Sequence, residues 1–304
     1  MTIEAQGLRK CYGTTVAVED LTFTVQPGKV TGFVGPNGAG KSTTMRMMLA
    51  LDRPDAGVVL IGGRPYRALR EPALTVGALL DAEATHPGRR AEDHLRWMAQ
   101  YNGLSRRRVH EVLDLVGLRS VARQRVGGFS LGMRQRLGIA GALLGDPPVL
   151  ILDEPVNGLD PDGIRWIRGF LRSLAADGRT VLVSSHLMGE LQDTADHLIV
   201  IGRGRLLADT SVKALLDETS DGRVTVRTGE RAAAVQVLAD AGATVAIVDL
   251  DTLTVNGMDA GEVGARLTAA GVPCSELSRH RASLEEVYME MTRTYTIFGD
   301  GTRP

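Results

Sequence analysis

The segment Gly35-Pro36-Asn37-Gly38-Ala39-Gly40-Lys41-Ser42 limits this chain more than any other. It fits the spacing G-x-x-x-x-G-K-[ST], and it joins the apolar run KVTGFVG directly to the run KSTTMRMMLALDRP. KVTGFVG reads as a strand covered on both faces, and the second run reads as a helix stopped by Pro54. Between them, glycines let successive backbone N–H groups turn inward around an anion, and the helix N-terminus adds its partial positive charge. Lys41 is then expected to reach the β- and γ-phosphates of a nucleotide, and the Ser42 hydroxyl to bind Mg²⁺. The lysine stands out, because the chain has only four: Lys10, Lys29, Lys41 and Lys213. A glycine-rich turn with a surface lysine is the bland alternative, and the strand-to-helix context argues against it.

A second apolar strand, Val149-Leu150-Ile151-Leu152, ends abruptly in Asp153 and Glu154. Ligands of an open parallel sheet sit at the carboxyl ends of its strands. That places Asp153 to hold Mg²⁺ through water and Glu154 to orient or deprotonate an attacking water. Read without the loop at 35–42, the two acids would serve equally as a solubilising edge. VLILDEP and TVLVSSH flank the helix GIRWIRGFLRSLAADG, a strand-helix-strand unit of a parallel sheet. Upstream, TVAVEDLTFTV and KVTGFVG are separated by a turn at Pro27-Gly28. Residues 91 to 145 read as a mostly helical insertion, through AEDHLRWMAQYNGL, RRRVHEVLDLVGL and SLGMRQRLGIAGALLG.

The signal changes near residue 216. RVTVRT, AAAVQVLADAG, TVAIVD, TLTVNG, AGEVGARLTAAG and CSELSR give the order β-α-β-β-α-β, a split βαβ module whose halves resemble each other weakly. A closing helix in SLEEVYMEMTRTY is expected to start at Ser283, with Glu286 at the capping-box spacing.

Composition removes other classes. With 43% hydrophobic and 23% charged residues over 304 positions, a core is affordable and about two domains are expected. The longest stretch without charge, Val30 to Gly40, has 11 residues, short of the ~20 that a spanning helix requires. The start MTIEAQGLRK lacks the order of a secretory signal, and Cys11 and Cys274 are too few for a disulfide framework, so a reducing cytoplasm is expected. A formal net charge of −1 and 4% aromatics offer neither the field nor the stacking platforms of a nucleic-acid binder. Cys11 reads as a strand cysteine rather than a regulatory one. The run Arg106 to Arg108 reads as a solvated helix face rather than a lipid contact.

Over roughly residues 2 to 215 the chain resembles the ATP-binding cassette (ABC) ATPases of membrane transporters. Phe129-Ser130-Leu131-Gly132-Met133, followed by RQRLGIA, stands where that family carries its LSGGQ signature. Leu131 and Met133 replace the usual glycine and glutamine, in a form similar to that of bacterial drug exporters of the daunorubicin-resistance type. Ser130 suits the N-cap of the following helix, and taken alone it is a cap and no more. The resemblance adds that this cap faces a γ-phosphate held by a second subunit.

The resemblance further implies that Tyr12 stacks on adenine and that Gly35, Pro36, Asn37, Gly38, Ala39, Gly40, Lys41, Ser42 and Thr43 hold the phosphates. It implies nucleotide contacts for Ser130, Gly132 and Asp160, the last within the D-loop Asn157-Gly158-Leu159-Asp160. His186 matches the switch histidine, which makes Glu154, His186 and Lys41 the catalytic set. Asp81, or Glu83 if the spacing shifts, stands in place of the family's glutamine and joins Ser42 and Asp153 as a Mg²⁺ ligand. Without the resemblance, Tyr12 and His186 read as packing residues.

The fold implied is an α/β P-loop NTPase core with an N-terminal antiparallel β subdomain and a helical subdomain, over 1–215. A small C-terminal α+β, ferredoxin-like module for regulation or dimerisation occupies 216–304. The function implied is an ATP-hydrolysing exporter subunit that dimerises on ATP, works with separately encoded integral membrane permease subunits, and lies on the inner face of the cell membrane. Drug, antibiotic or lipid-like cargo fits that reading. A soluble ABC ATPase of DNA repair or translation is the alternative, disfavoured because the chain has one cassette and neither coiled-coil insertions nor basic stretches.

Overall fold

The computed structural model describes residues 1–186, 188–220, 223–279 and 284–296. The chain divides into two compact units, Met1–Val212 with Met291–Pro304, and Lys213–Glu290.

The first unit begins with β1 (Ile3–Tyr12) and β2 (Thr15–Val25), which form a three-stranded antiparallel sheet with β4 (Ala56–Ile61), in the order β2-β1-β4. Between them in sequence come β3 (Lys29–Val34) and α1 (Lys41–Met48). A six-stranded sheet runs β5-β6-β7-β3-β8-β9, built with β5 (Val76–Leu79), β6 (Val149–Leu152), β7 (Thr180–Ser185), β8 (His197–Gly202) and β9 (Arg205–Ser211). The pairs from β5 to β8 are parallel, and β9 closes the edge antiparallel. β6 and β7 are buried along their whole length and β3 along all but its first residue, as strands covered on both faces require.

Helix α1 lies in the hydrophobic cluster that joins the two sheets: Met45, Met47 and Met48 are buried with Ile3, Leu8 and Leu21 of the small sheet and Phe33 and Ile151 of the large one. The helix stops at Met48 rather than at Pro54. Ala50 takes a left-handed φ of 53°, and the N–H groups of Ala50 and Leu51 return to the carbonyls of Met47 and Arg46. This is a C-terminal capping turn, and it ends the helix before the proline is reached.

Short helices α2 (Pro72–Thr75) and α7 (Met188–Gln192) flank β5 and follow β7, and α6 (Pro161–Ala176) links β6 to β7. The helical block after β5 consists of α3 (Ala91–Tyr101), α4 (Arg106–Leu115) and α5 (Leu131–Ala142), packed through Leu95, Leu113 and Leu137. In the arginine run, Arg106 and Arg107 are exposed, but half-buried Arg108 donates to the carbonyls of Leu143 and Leu144 at 2.9 and 3.2 Å. It thereby satisfies the C-terminal end of α5 with a positive charge.

Helix α8 (Val212–Ser220) leads into the second unit. There β10 (Val224–Arg227), α9 (Arg231–Asp240), β11 (Thr244–Ile247), β12 (Thr252–Asn256), α10 (Ala260–Ala269) and β13 (Glu276–Arg279) follow one another. Their antiparallel sheet, ordered β11-β12-β10-β13, has the ferredoxin-like topology. Val224, Val226, Leu253 and Val255 face Leu238 and Leu267 of the two helices. The alternation of buried and half-exposed residues along β10 and β12 is that of a sheet covered on one side. The last helix, α11, spans Leu284–Thr296; the expected cap at Ser283 lies outside the described residues.

Candidate functional site

The loop after β3 brings its polar groups to one cleft. Gly40 caps α1 with φ +103°, where a Cβ would come within 2.5 Å of the Ala17 carbonyl oxygen. Only glycine turns there so close to another backbone. Lys41 is 7% exposed, and its Nζ donates to the carbonyls of Gly35 at 2.6 Å and Pro36 at 3.3 Å. Burial draws its ammonium down from the ordinary lysine range, and the carboxylates of Glu154 and Asp153 oppose that pull.

Across the cleft, β6 delivers the two acids. Glu154 has a left-handed φ of 48°, a conformation that a non-glycine residue keeps only when its neighbours fix it. Its N–H donates to Ser184 Oγ at 2.9 Å, and the same hydroxyl donates to Asp153 Oδ1. Its Oε2 lies 2.9 Å from His186 Nδ1. Gln135 Nε2, from α5, donates to its carbonyl at 2.8 Å. The cleft, about 410 Å³, is lined by Ala17, Asn37, Gly38, Gly40, Lys41, Ser42, Thr43, Glu154, Asn157 and His186, which is within the size range of small-molecule sites.

Other candidates lie outside that lining. Gly35 is buried at the base of the loop, Ala39 is buried and Pro36 is exposed. Asp153 sits behind Glu154, joined to it through Ser184. Tyr12, 49% exposed at the end of β1, donates its hydroxyl to Asp52 Oδ2 at 2.8 Å, and Arg46 Nε of α1 donates to the same oxygen at 2.8 Å. Lys10 Nζ lies 5.4 Å from the centre of the Tyr12 ring.

Ser130 caps α5, with Oγ accepting the Met133 N–H at 3.2 Å, and Asp160 caps α6, accepting the Gly163 N–H at 2.8 Å. The two caps are packed together by Gly158 at φ +72°, where a Cβ would fall 2.1 Å from Leu131 Cδ2, and by Gly132, whose Cβ would meet Leu159 at 3.3 Å. Asp81 is exposed; its Oδ1 accepts the Glu83 N–H at 2.7 Å, and Glu83 lies 3.7 Å from Arg134 of α5.

Ser184, Gln135 and Asp52 were not among the residues singled out from sequence. Ser184 had a signal, a pair of serines ending an otherwise apolar strand. Gln135 had none beyond being a polar residue on the buried side of α5.

A glycine-rich phosphate loop carrying a buried lysine, facing paired acids across a parallel sheet, defines a P-loop nucleoside triphosphatase. Comparison with known proteins narrows the class. The family described as ABC transporter matches residues 18–157, and a family described as a domain of unknown function matches 222–285. The bacitracin transport ATP-binding protein BcrA of Enterococcus faecalis is 32% identical over 300 residues, covering 95% of this chain and 96% of that protein. The Nod factor export ATP-binding protein I of Burkholderia orbicola (strain AU 1054) is 35% identical over 297 residues, covering 95% and 96%. Among solved structures, an ATP-binding subunit of an ABC transporter aligns with a TM-score of 0.65 at 28% identity, over 72% of this chain and 93% of that one. A dimeric cassette in a post-hydrolysis state with ADP and Pi shares the fold, with a TM-score of 0.64 at 23% identity, over 69% and 98%. The chain belongs to the ABC transporter ATP-binding proteins, the ATPases of those transporters. No helix among the described residues is long and apolar enough to cross a membrane.

Proposed function

We propose that this chain is the ATP-hydrolysing subunit of an exporter, that two copies close on two ATP molecules, and that closure drives separately encoded integral membrane permease subunits from the cytoplasmic face. The names of its full-length relatives, a bacitracin transporter and a Nod factor exporter, support export rather than DNA repair or translation. Residues 1–215 form the ATP-binding domain in this reading, and 216–304 an accessory domain of regulation or dimerisation. One observation carries the catalytic assignment: buried Lys41 and the Glu154–His186 pair face the same cleft at the start of α1.

Asn37, Gly38, Ala39 and Gly40 turn backbone N–H groups to the phosphates, with Gly35 and Pro36 anchoring the loop and Lys41 neutralising the β- and γ-phosphates. Tyr12 supports adenine. Glu154 accepts the proton of the water that attacks the γ-phosphorus, while the bond from the γ-phosphorus to the bridging oxygen breaks and ADP leaves. His186, on Glu154 Oε2, fixes that carboxylate and reaches the γ-phosphate. Placing such a base contributes about 10²–10⁴ in rate. Ser130 and Gly132 contact the γ-phosphate held by the partner copy, and Asp160 joins the two sites across the dimer.

The oxygen donors present fit Mg²⁺. Ser42 and Thr43 line the cleft and Asp153 lies behind it, with a hard carboxylate and hydroxyl set. A hard cation of that kind keeps waters and substrate phosphate oxygens beside its protein oxygen donors. Ser42, Asp153 and, on the loop after β5, Asp81 would hold it. When bound, it supplies charge neutralisation on the phosphate oxygens.

The test is Glu154→Gln. With ATP and Mg²⁺ the variant is expected to retain nucleotide without cleaving it and to scatter light as a dimer. A monomeric mass at saturating ATP, or normal phosphate release, overturns the reading.

A further inference from the structure

Helix α5 starts at the cap Ser130 and, five residues on, sends a side chain to the other end of the catalytic apparatus. Gln135 is 4% exposed, and its Nε2 donates to the Glu154 carbonyl at 2.8 Å. That carbonyl also accepts the Asn157 N–H at 3.2 Å. Facing an oxygen, the amide must present its nitrogen. Glu154 is thus held on three sides: its N–H by Ser184, its carbonyl by Gln135 and Asn157, and its carboxylate by His186. Its left-handed φ of 48° requires such over-determination. Gln135 does not line the cleft, so any effect it has on chemistry passes through Glu154.

We propose that Gln135 is a positioning residue for hydrolysis, tying the helix that begins at Ser130 to the backbone of Glu154, so that the seating of that helix sets the aim of the carboxylate. This rests on the reading of Glu154 as the residue that handles the attacking water. A helix is stiff over the distance from Ser130 to Gln135, so a shift at its cap is carried to the Glu154 carbonyl with little loss. Turning that peptide swings the Glu154 side chain, and a misplacement of about 1 Å in a catalytic group can cost about 10²-fold. Two chemistries of this chain are thereby linked: recognition of a phosphate at the α5 N-terminus and water activation at the end of β6.

The full-length chain is assayed for steady-state phosphate release with ATP and Mg²⁺, alongside equilibrium binding of ATP and thermal melting. Gln135→Met keeps length and packing without a donor; Gln135→Glu keeps shape but sets an acceptor against the carbonyl. Both are expected to lose at least about tenfold in kcat, Glu more than Met, with KM and Kd for ATP within about twofold of the parent. Full kcat in a folded Met variant overturns the proposal, as does a loss carried entirely by KM. If neither variant melts cooperatively, Gln135→Asn, whose amide falls one methylene short, is expected to show the same split, and full kcat there overturns it. Glu154→Gln in the same assay separates the two readings: if it hydrolyses normally, the water-activation reading fails, whereas an inactive Glu154→Gln beside a fully active Gln135→Met defeats only the link through α5.

Discussion

Ser130 separates a helix cap from an anion contact, because the two roles respond oppositely to the same substitutions. Its Oγ accepts the Met133 N–H at 3.2 Å while the residue itself is exposed, which leaves the hydroxyl hydrogen free to serve a second partner. Glycine at an N-cap costs only a few tenths of a kcal/mol relative to serine, and aspartate caps as well as serine. Ser130→Gly and Ser130→Asp therefore keep stability within about 0.5 kcal/mol, a melting shift of about 2 °C or less.

Hydrolysis is expected to behave differently. A hydrogen bond to a charged group is worth about 1.5–3 kcal/mol. If Ser130 donates to the γ-phosphate across a dimer, glycine loses about ten- to 150-fold in turnover at 1.4 kcal/mol per decade. Aspartate, with its charge aimed at a phosphate, abolishes turnover while holding the helix end. Mixing supplies the second arm: Lys41→Ala chains keep an intact α5 terminus and Ser130→Asp chains an intact phosphate loop, so a mixed dimer assembles one complete site. Phosphate release is measured for each homodimer and for the mixture, with ATP-dependent association recorded alongside. Some activity is expected to return only on mixing. Normal hydrolysis by Ser130→Asp alone refutes the shared-site reasoning.

Two further outcomes follow from the packing around the phosphate loop. Gly40→Ala forces a left-handed alanine, costing about 1–2 kcal/mol, and sets a Cβ 2.5 Å from the Ala17 carbonyl; both melting temperature and ATP affinity should fall, and an unshifted melt contradicts the geometry. Asp52 is held below the usual carboxylate range, chiefly by its bond to Arg46 and then by the Tyr12 hydroxyl. Between that lowered value and the ordinary one the unfolded chain binds more protons, so the contribution is full above the unfolded value and is lost as pH falls through the folded one. Asp52→Asn should therefore lower stability at pH 7 by no more than about 1 kcal/mol and should flatten the acid limb of the stability curve; an unchanged acid limb in urea titrations counts against the Tyr12–Asp52–Arg46 link.

What the sequence disclosed divides along the range of the interactions involved. The phosphate loop is contiguous, and its residues sit together whatever the rest of the chain does, so eight letters announce the site. The tail was legible for a similar reason: its strands bury one face, and Val224, Val226, Leu253 and Val255 alternate cleanly. β1 left no such trace, because Gly7 at φ +57° and successive register shifts after Ala5 break its period of two. β5 did not stand out because Gly77 and Ala78, both poor strand formers, fill the middle of its Val-Gly-Ala-Leu. The reach of α1 was overread because its stop lies in a left-handed alanine, a residue that carries no stop signal of its own. Ser184 and Gln135 stand 30 and 19 positions from Glu154. Their bonds to it exist only once β7 lies beside β6 and α5 has packed against β5, so they are products of the tertiary fold. Such contacts govern whether a correctly chosen glutamate points at a water, and a motif lists the glutamate alone.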